Sequence, residues 1–146
     1  MKKFGKLLLT LLLCFVFVGC SNGKSTKNIT KQLKEADYTI KYNSDEYTTI
    51  TISESKNGKE KSQYIAYVEN DKISNIAYIE LPENSEDYDN MIIGYIFVSE
   101  KSDFDVDKAA KNAAEKKLKK LDLTIDDLVD YALDIHKDKG KSLTEK

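Results

Sequence analysis

The 146-residue sequence contains no tryptophan, no arginine, one proline, one histidine and two cysteines. Both cysteines, Cys14 and Cys20, lie in the first twenty residues, so the remainder of the chain can form no disulfide and must be held together by packing. One histidine and no later cysteine exclude a zinc site of the usual Cys and His composition. No glycine-rich phosphate-binding motif is present either, which leaves no nucleotide-binding loop to nominate.

The N-terminal segment has three physically distinct parts. Lys2, Lys3 and Lys6 form a basic start, and residues 7–18 form an apolar run broken only by Thr10. This run is too short to cross the hydrocarbon core of a bilayer, which requires about 20 residues. A basic start, a short apolar region and a small residue at its end are typical of an export signal that is later removed.

The end of this segment, Phe17-Val18-Gly19-Cys20, resembles the lipobox of bacterial lipoproteins, in which a small residue directly precedes an obligatory cysteine. The resemblance covers only the first twenty residues, and Phe17 stands where leucine is usual. It implies that residues 1–19 are removed and that the sulfur of Cys20 carries a diacylglyceryl group. Two acyl chains hold a protein stably on a membrane, since each buried CH₂ contributes about 0.8 kcal/mol.

The resemblance therefore implies a location on the extracytoplasmic face of the cell membrane, with a palmitate-type lipid anchor on Cys20. The alternatives are an uncleaved N-terminal anchor and a plain secretory signal.

Three of the 23 basic residues and none of the 25 acidic residues precede Cys20, so the remaining chain carries a net charge of −5. This charge argues against nucleic acid as a partner, because nucleic-acid affinity depends on neutralising phosphates. Lysine without arginine indicates an AT-rich genome, such as that of a low-G+C Gram-positive bacterium.

The rest of the chain is predicted to have three parts. Residues 20–27 are small and polar and form a lipidated tether, residues 28–136 form a single domain, and residues 137–146 form a charged tail. Apolar residues at helical spacing predict a short helix over residues 28–36. From residue 38 to 99 the pattern repeats every two residues and predicts five strands.

Particular residues mark the limits of these elements. The pairs Asn57-Gly58 and Asn70-Asp71 predict tight turns between strands. Residues 91–98 are almost all apolar and predict a central strand covered on both faces, in which Gly94 marks a bulge or the close approach of a neighbouring element.

Two helices are predicted after the last strand. Asp105 is expected to cap an alanine-rich helix, and Thr124 with Asp127 is expected to form a capping box that opens a second helix. The predicted fold class is therefore α+β: an antiparallel β-meander of about five strands, with a short N-terminal helix and two C-terminal helices packed on one face.

Residues that carry chemistry are scarce. His136 has Asp130 and Asp134 nearby in sequence, but Asp134 falls on a different helix face, so a metal site is not expected there. Residues 82–90 form an acidic loop with four carboxylates that could ligate calcium: Glu83, Glu86, Asp87 and Asp89. The loop lacks the EF-hand order of ligands around a central glycine, and a solvated loop is the preferred interpretation. The sequence therefore nominates no catalytic residue, no metal ligand and no cofactor.

The sequence is rich in tyrosine, with nine residues, and this is the one feature of its composition that can indicate binding. Tyrosine is common at recognition surfaces because it combines apolar area with a polar tip. Half-exposed sheets commonly carry tyrosine as well. Tyr47, Thr49 and Thr51 share one face of the second predicted strand and could line an uncovered surface with Tyr67 of the third. The sequence does not tell which face of the sheet is uncovered.

These observations favour a membrane-anchored, surface-exposed binding module of the cell envelope that is not an enzyme. Its partners would be the membrane, through the lipid on Cys20, and an unidentified envelope or extracellular ligand. One alternative is an enzyme or accessory factor acting on envelope polymers. Another is a precursor of a peptide pheromone, because in some Gram-positive lipoproteins the end of the signal, here residues 12–19, is trimmed into an apolar signalling peptide.

Overall fold

The computed structural model of the chain describes residues 25–83, 88–98 and 104–144, and the predicted lipid-attachment residue Cys20 lies outside them. The elements in chain order are α1 (Thr26–Glu35), β1 (Tyr38–Ser44), β2 (Thr48–Lys56), β3 (Lys59–Glu69), β4 (Lys72–Glu80), β5 (Ile92–Phe97), α2 (Asp105–Lys120) and α3 (Ile125–Thr144). A 3₁₀ turn, Tyr88–Asn90, precedes β5.

The five strands form one sheet in the order β1-β2-β3-β4-β5, and every neighbouring pair is antiparallel. Tight turns make this sequential order possible. Asn57 and Gly58 have φ values of 55° and 72°, and Asn70 and Asp71 have φ values of 52° and 57°. Positive φ at both central residues is the conformation that matches the twist of the flanking strands. The predicted antiparallel meander and its two asparagine turns are thus confirmed.

All three helices pack against the same face of the sheet. Their buried side chains share one core with alternate residues of the strands, because side chains along a strand point to opposite faces in turn. The helices contribute Ile29, Leu33, Ala110, Ala114, Leu118, Leu128, Tyr131 and Ala132, and the sheet contributes chiefly Tyr38, Ile50, Ile52, Tyr64, Ala66, Ile76, Tyr78 and Ile96. The α+β class with helices on one face is confirmed.

The prediction that residues 91–98 form a central strand covered on both faces is wrong. The strand β5 lies at the edge of the sheet and pairs only with β4. Its outward side chains Ile93, Tyr95 and Phe97 are 53%, 50% and 42% exposed. A continuous apolar run indicates apolar side chains on both faces of a strand, but it does not tell whether anything covers the second face.

Gly94 marks the close approach of a helix rather than a bulge, since the β4–β5 register is regular around it. A Cβ atom at position 94 would lie 2.8 Å from the Cβ of Ala110 and 2.9 Å from the carbonyl oxygen of Val106. Glycine therefore lets α2 pack directly onto β5.

Of the two predicted helix caps, the one at the start of α2 is wrong and the one at the start of α3 is confirmed. Phe104, not Asp105, is the N-cap residue of α2; Asp105 is the first helical residue, where its charge interacts favourably with the helix dipole. The capping box of α3 is confirmed: the Thr124 N–H donates to Asp127 Oδ2 over 2.8 Å, and the Asp127 N–H donates to Thr124 Oγ1 over 3.1 Å. The helix α3 runs on to Thr144, through most of the segment expected as a tail.

Candidate functional site

The strand tyrosines divide between the two faces of the sheet. Tyr38, Tyr64 and Tyr78 are buried under the helices, while Tyr67 and Tyr95 lie on the opposite face. Tyr42 packs against the same core, so four of the six strand tyrosines are explained by packing and two lie where no described helix covers them.

We call this uncovered surface the open face. Strand pairing arranges its side chains in three rows of five, which are Thr39-Ser53-Gln63-Ile79-Ile93, Lys41-Thr51-Ile65-Ala77-Tyr95 and Asn43-Thr49-Tyr67-Asn75-Phe97. Lys41 is the one charged residue among the fifteen, although a third of the chain is charged. Loss of charge together with enrichment in aromatic residues is the composition of the centre of a binding interface.

The open face changes in character from one edge to the other. Its β1 and β2 side carries hydroxyl and amide groups, and its β4 and β5 side carries mainly aliphatic and aromatic groups. The rings of Tyr95 and Phe97 contact each other with their centroids 6.3 Å apart. Exposed apolar side chains that adjoin one another, unlike scattered ones, mark an interaction surface.

A groove of about 480 Å³ lies at one end of the open face. Its walls include the rings of Tyr47, Tyr67 and Tyr95 together with Ser74 and Asn75, and its lining is completed by Val68 and Glu69. The β3–β4 register shifts between Tyr67 and Val68, because Ser74 is an extra residue of β4 with no partner on β3. A bulge of this kind bends the strand and increases its twist locally.

One polar atom in the wall of the groove lacks a partner. The amide Nδ2 of Asn75 donates to Ser74 Oγ over 3.4 Å, but its Oδ1 is buried and accepts no hydrogen bond from any described residue. An unsatisfied buried acceptor costs about 1–3 kcal/mol. Because Asn75 Oδ1 is closed to solvent, a ligand in the groove would recover this free energy only if the Asn75 side chain turned toward it.

The residues that the sequence nominated largely come together. Thr49, Thr51 and Tyr67 all lie on the open face, and Tyr47, in the β1–β2 turn and 67% exposed, reaches the groove beside them. The apolar half of the face was missed because residues 91–98 were interpreted as a covered central strand. The missed residues are Asn75, Ile93, Tyr95 and Phe97.

The outer edge of β5 is capped by a side chain from α2. The backbone N–H of Tyr95 donates to Asp107 Oδ1 over 2.8 Å, and Asp107 is only 7% exposed. This N–H points away from β4, as alternate residues of an antiparallel strand do. A buried carboxylate at the middle of an edge strand is a known obstacle to pairing with another chain.

A group of charged and polar side chains lies at the border of the core, on the helix side of the sheet, where Glu54 and Lys117 are partly buried. Glu54 forms an ion pair with Lys117 and accepts a hydrogen bond from Ser62 Oγ over 2.8 Å. A serine beside a lysine and a carboxylate has the residue types of a nucleophilic site, but Ser62 is fully buried. Because no substrate can reach the hydroxyl of Ser62, this cluster stabilises the fold and gives no support to an enzyme.

Burial shifts the pKa values of Glu54 and of three tyrosines on the helix side of the sheet. It raises the pKa of Tyr38 to about 12, with the charge of Glu54 adding to the effect. Burial also raises the pKa values of Tyr64 and Tyr78, and at Tyr78 the hydrogen bond to Glu80 adds to the increase. For Glu54, burial favours the neutral acid, but the hydrogen bonds from Lys117 and Ser62 outweigh it and lower the pKa.

The polar contacts of His136 are not with Asp130 or Asp134, the two residues near it in sequence. Its Nε2 lies 3.0 Å from Asp71 Oδ1 and its Nδ1 lies 3.3 Å from the hydroxyl of Tyr42. These contacts join α3 to β1 and to the β3–β4 turn. Within residues 25–83, 88–98 and 104–144, no group of three or more His, Cys, Asp or Glu side chains is arranged to hold a metal ion. Glu86 and Asp87 of the acidic loop lie outside these ranges.

A second groove, of about 250 Å³, lies between the end of β5, α2 and the start of α3. Glu115, Asp126 and Lys111 are among the residues that line it, so two carboxylates border the same groove. Asp126 lies in the first turn of α3, where its charge interacts favourably with the helix dipole. The groove borders residues 99–103, which the structure does not describe, so it carries no functional argument.

None of the helices that the structure describes has both the length and the apolar character needed to cross a membrane. Comparison of the chain with models of known protein families, with curated proteins and with solved structures found no match.

Proposed function

We propose that this chain is a lipoprotein, held on the outer surface of a cell membrane by lipid on Cys20, whose domain is a non-catalytic binding module that uses the open face. The anchor is argued from the lipobox-like residues 17–20 and from the export signal before them. The single observation that carries the binding role is the open face itself, which is aromatic, almost free of charge and covered by none of the described elements.

A surface of this kind is costly for a protein that does not use it. Ile93, Tyr95 and Phe97 expose about half of their side chains to water on one edge strand, beside further apolar groups. Each apolar side chain that is fully buried contributes about 1.5–3 kcal/mol, so a partner that covers these residues gains a large driving force. The polar tether before the domain would hold the open face away from the lipid headgroups.

The anchor is tested by metabolic labelling of cells with an alkyne fatty acid. We expect the native chain to be labelled and the Cys20→Ala variant to be unlabelled, because no other cysteine would follow the cleavage site. Label that persists in the variant, or is absent from both chains, would refute the lipid attachment and leave a secreted or signal-anchored protein.

The binding role is tested by adding a charge to the centre of the open face. Thr51→Glu lies directly opposite Lys41, which can pair with the new carboxylate and preserve the fold. We expect retention of the processed chain on purified Gram-positive envelope fragments to fall at least about tenfold, since burial of the new charge opposes binding.

The matched control for this variant is Asn112→Glu, on the exposed surface of α2, which makes the same change in net charge. We expect its retention to equal that of the native chain. Equal retention of the native chain and both variants would show that the open face is not the binding surface.

A further inference from the structure

The chemistry of the open face restricts the class of ligand that can bind there, if the face is the binding surface proposed above. One lysine and no acidic residue among its fifteen side chains, with Glu69 as the one acidic residue that lines the groove, provide no match for a strongly charged polymer. Single-stranded nucleic acid stacks on aromatic rings, but it also needs a basic groove along its backbone, which this face lacks. The ligand must therefore be neutral where it touches the sheet.

The size of the open face argues against a second copy of the chain. Five strands about 4.8 Å apart and three rows about 6.8 Å apart give a flat area of about 500 Å². A standard stable interface buries about 800 Å² on each partner. The face is better matched to a narrow linear ligand that crosses it than to another folded domain.

The capped edge argues against an extended peptide added as a sixth strand beside the aromatic residues. Such a peptide gains its affinity from main-chain hydrogen bonds to a free strand edge. At the middle of β5 the N–H of Tyr95 already donates to the buried carboxylate of Asp107. On the opposite edge, β1 carries Lys41, a charge that disfavours strand addition.

The groove offers the two kinds of contact that a sugar chain uses. Tyr47, Tyr67 and Tyr95 line the groove. The faces of aromatic rings carry partial negative charge and attract the C–H groups on one side of a pyranose ring. Ser74 and Asn75 give the same groove polar side chains. Ser74 Oγ accepts from Asn75 Nδ2 and donates to the carbonyl of Tyr67, both over 3.4 Å, and it can accept a further hydrogen bond from a sugar hydroxyl. Asn75 Oδ1 lacks a donor and is buried, so it gains one if the side chain turns toward the bound sugar. A volume of about 480 Å³ lies within the range of small-ligand sites.

We propose that the open face binds a neutral glycan chain, with its sugar rings stacked on Tyr47, Tyr67 and Tyr95 and its hydroxyl groups bonded to Ser74 and Asn75. The hydroxyl and amide side chains of β1 and β2 continue the polar part of the site along the chain. The aromatic residues provide affinity, and the scarcity of charge provides the selection against anionic and cationic polymers.

Isothermal titration calorimetry of the processed full-length chain in detergent micelles tests this proposal. The neutral probes are the tetramers of N-acetylglucosamine and of β-1,4-linked glucose. The charged probes are the deacetylated glucosamine tetramer, which is cationic, and tetragalacturonate, which is anionic. We expect saturable binding of at least one neutral probe and at least about tenfold weaker binding of both charged probes, because their charges would be desolvated on a neutral surface.

Two variants assign the binding to the groove. Tyr95→Ala removes one stacking ring and is expected to weaken binding of the neutral probe about tenfold. Phe104→Ala removes an even more exposed aromatic ring from the start of α2 and is expected to leave binding unchanged. Equal affinity of both variants and the native chain would overturn the assignment to this face.

The outcomes separate this inference from the proposed function. Absence of binding to both neutral probes, with envelope retention still sensitive to Thr51→Glu, would overturn the glycan and keep the binding face. Preferential binding of a charged probe would overturn the neutral-ligand argument. Self-association of the chain that Thr51→Glu abolishes, in place of sugar binding, would assign the face to a second copy.

Discussion

Removal of the Asp107 carboxylate should destabilise the fold and expose the edge of β5. Asp107 Oδ1 accepts the Tyr95 N–H over 2.8 Å and is almost fully buried. A hydrogen bond to a charged group contributes about 1.5–3 kcal/mol, and an acidic residue in the first turn of a helix contributes about 0.3–1 kcal/mol through the helix dipole. We therefore expect Asp107→Ala to lower the free energy of unfolding by about 2–3 kcal/mol.

Asp105→Ala is the control for this variant. Asp105 lies in the same first turn of α2 but is fully exposed, and its contact with Lys108 is a long one of 3.9 Å. Removing it should cost only the interaction with the helix dipole and a weak surface pair, far less than the loss of Asp107. Asp107→Asn keeps an acceptor oxygen without the charge and should fall between the two alanine variants.

Urea denaturation followed by circular dichroism measures these differences, and light scattering against protein concentration measures strand-edge association. The Asp107→Ala transition should shift by roughly 1–2 M urea. This variant should also associate at concentrations at which Asp105→Ala remains monomeric. Equal stability of Asp107→Ala and Asp105→Ala would refute the cap, and with it the argument that excludes a peptide strand from this edge.

Three further predictions concern packing and ionisation. Gly94→Ala should cost about 1–2 kcal/mol in urea denaturation, because its Cβ would press on Ala110 and on a backbone carbonyl; an unchanged midpoint would contradict this packing. The stability contributed by the protonated Tyr38 should be complete below about pH 10 and lost as the pH rises through about 12, and Tyr38→Phe should reduce this alkaline loss. Glu54→Gln should destabilise the chain by about 1 kcal/mol at neutral pH, where the carboxylate of Glu54 is paired with Lys117. Because the pKa of Glu54 is lowered in the folded chain, this difference should shrink as the pH falls below 4.5, and a difference independent of pH would refute the ion pair.

Local patterns were sufficient to predict most of the fold. The asparagine turns at Asn57-Gly58 and Asn70-Asp71 join strands that must then be neighbours, which leaves an antiparallel meander as the simplest topology. The capping box of Thr124 and Asp127 depends on residues three apart and was equally visible in the sequence. These features are decided by contacts within a few residues, so no knowledge of the tertiary structure is needed to find them.

Only half of the candidate site could be predicted from the sequence. Thr49, Thr51 and Tyr67 were nominated because they share a face by alternation, a property that belongs to each strand by itself. Tyr95 and Phe97 were not nominated, because apolar residues on both sides of β5 suit a covered central strand as well as an edge strand with an exposed apolar face. The lipid anchor on Cys20 depends on the N-terminal sequence pattern alone and stays a prediction.

The sequence by itself determined the order of the elements, the turns and which side chains of each strand lie together, because these follow from short-range geometry. Tertiary structure decided which of the two faces the helices cover. The close contact of α2 with Gly94 and its cap on the Tyr95 N–H place that helix against one side of β5, and they leave the other side to the solvent. Both contacts join residues of different elements, whose relative positions depend on the packing of the whole core, and for that reason the open face could be recognised only in the folded chain.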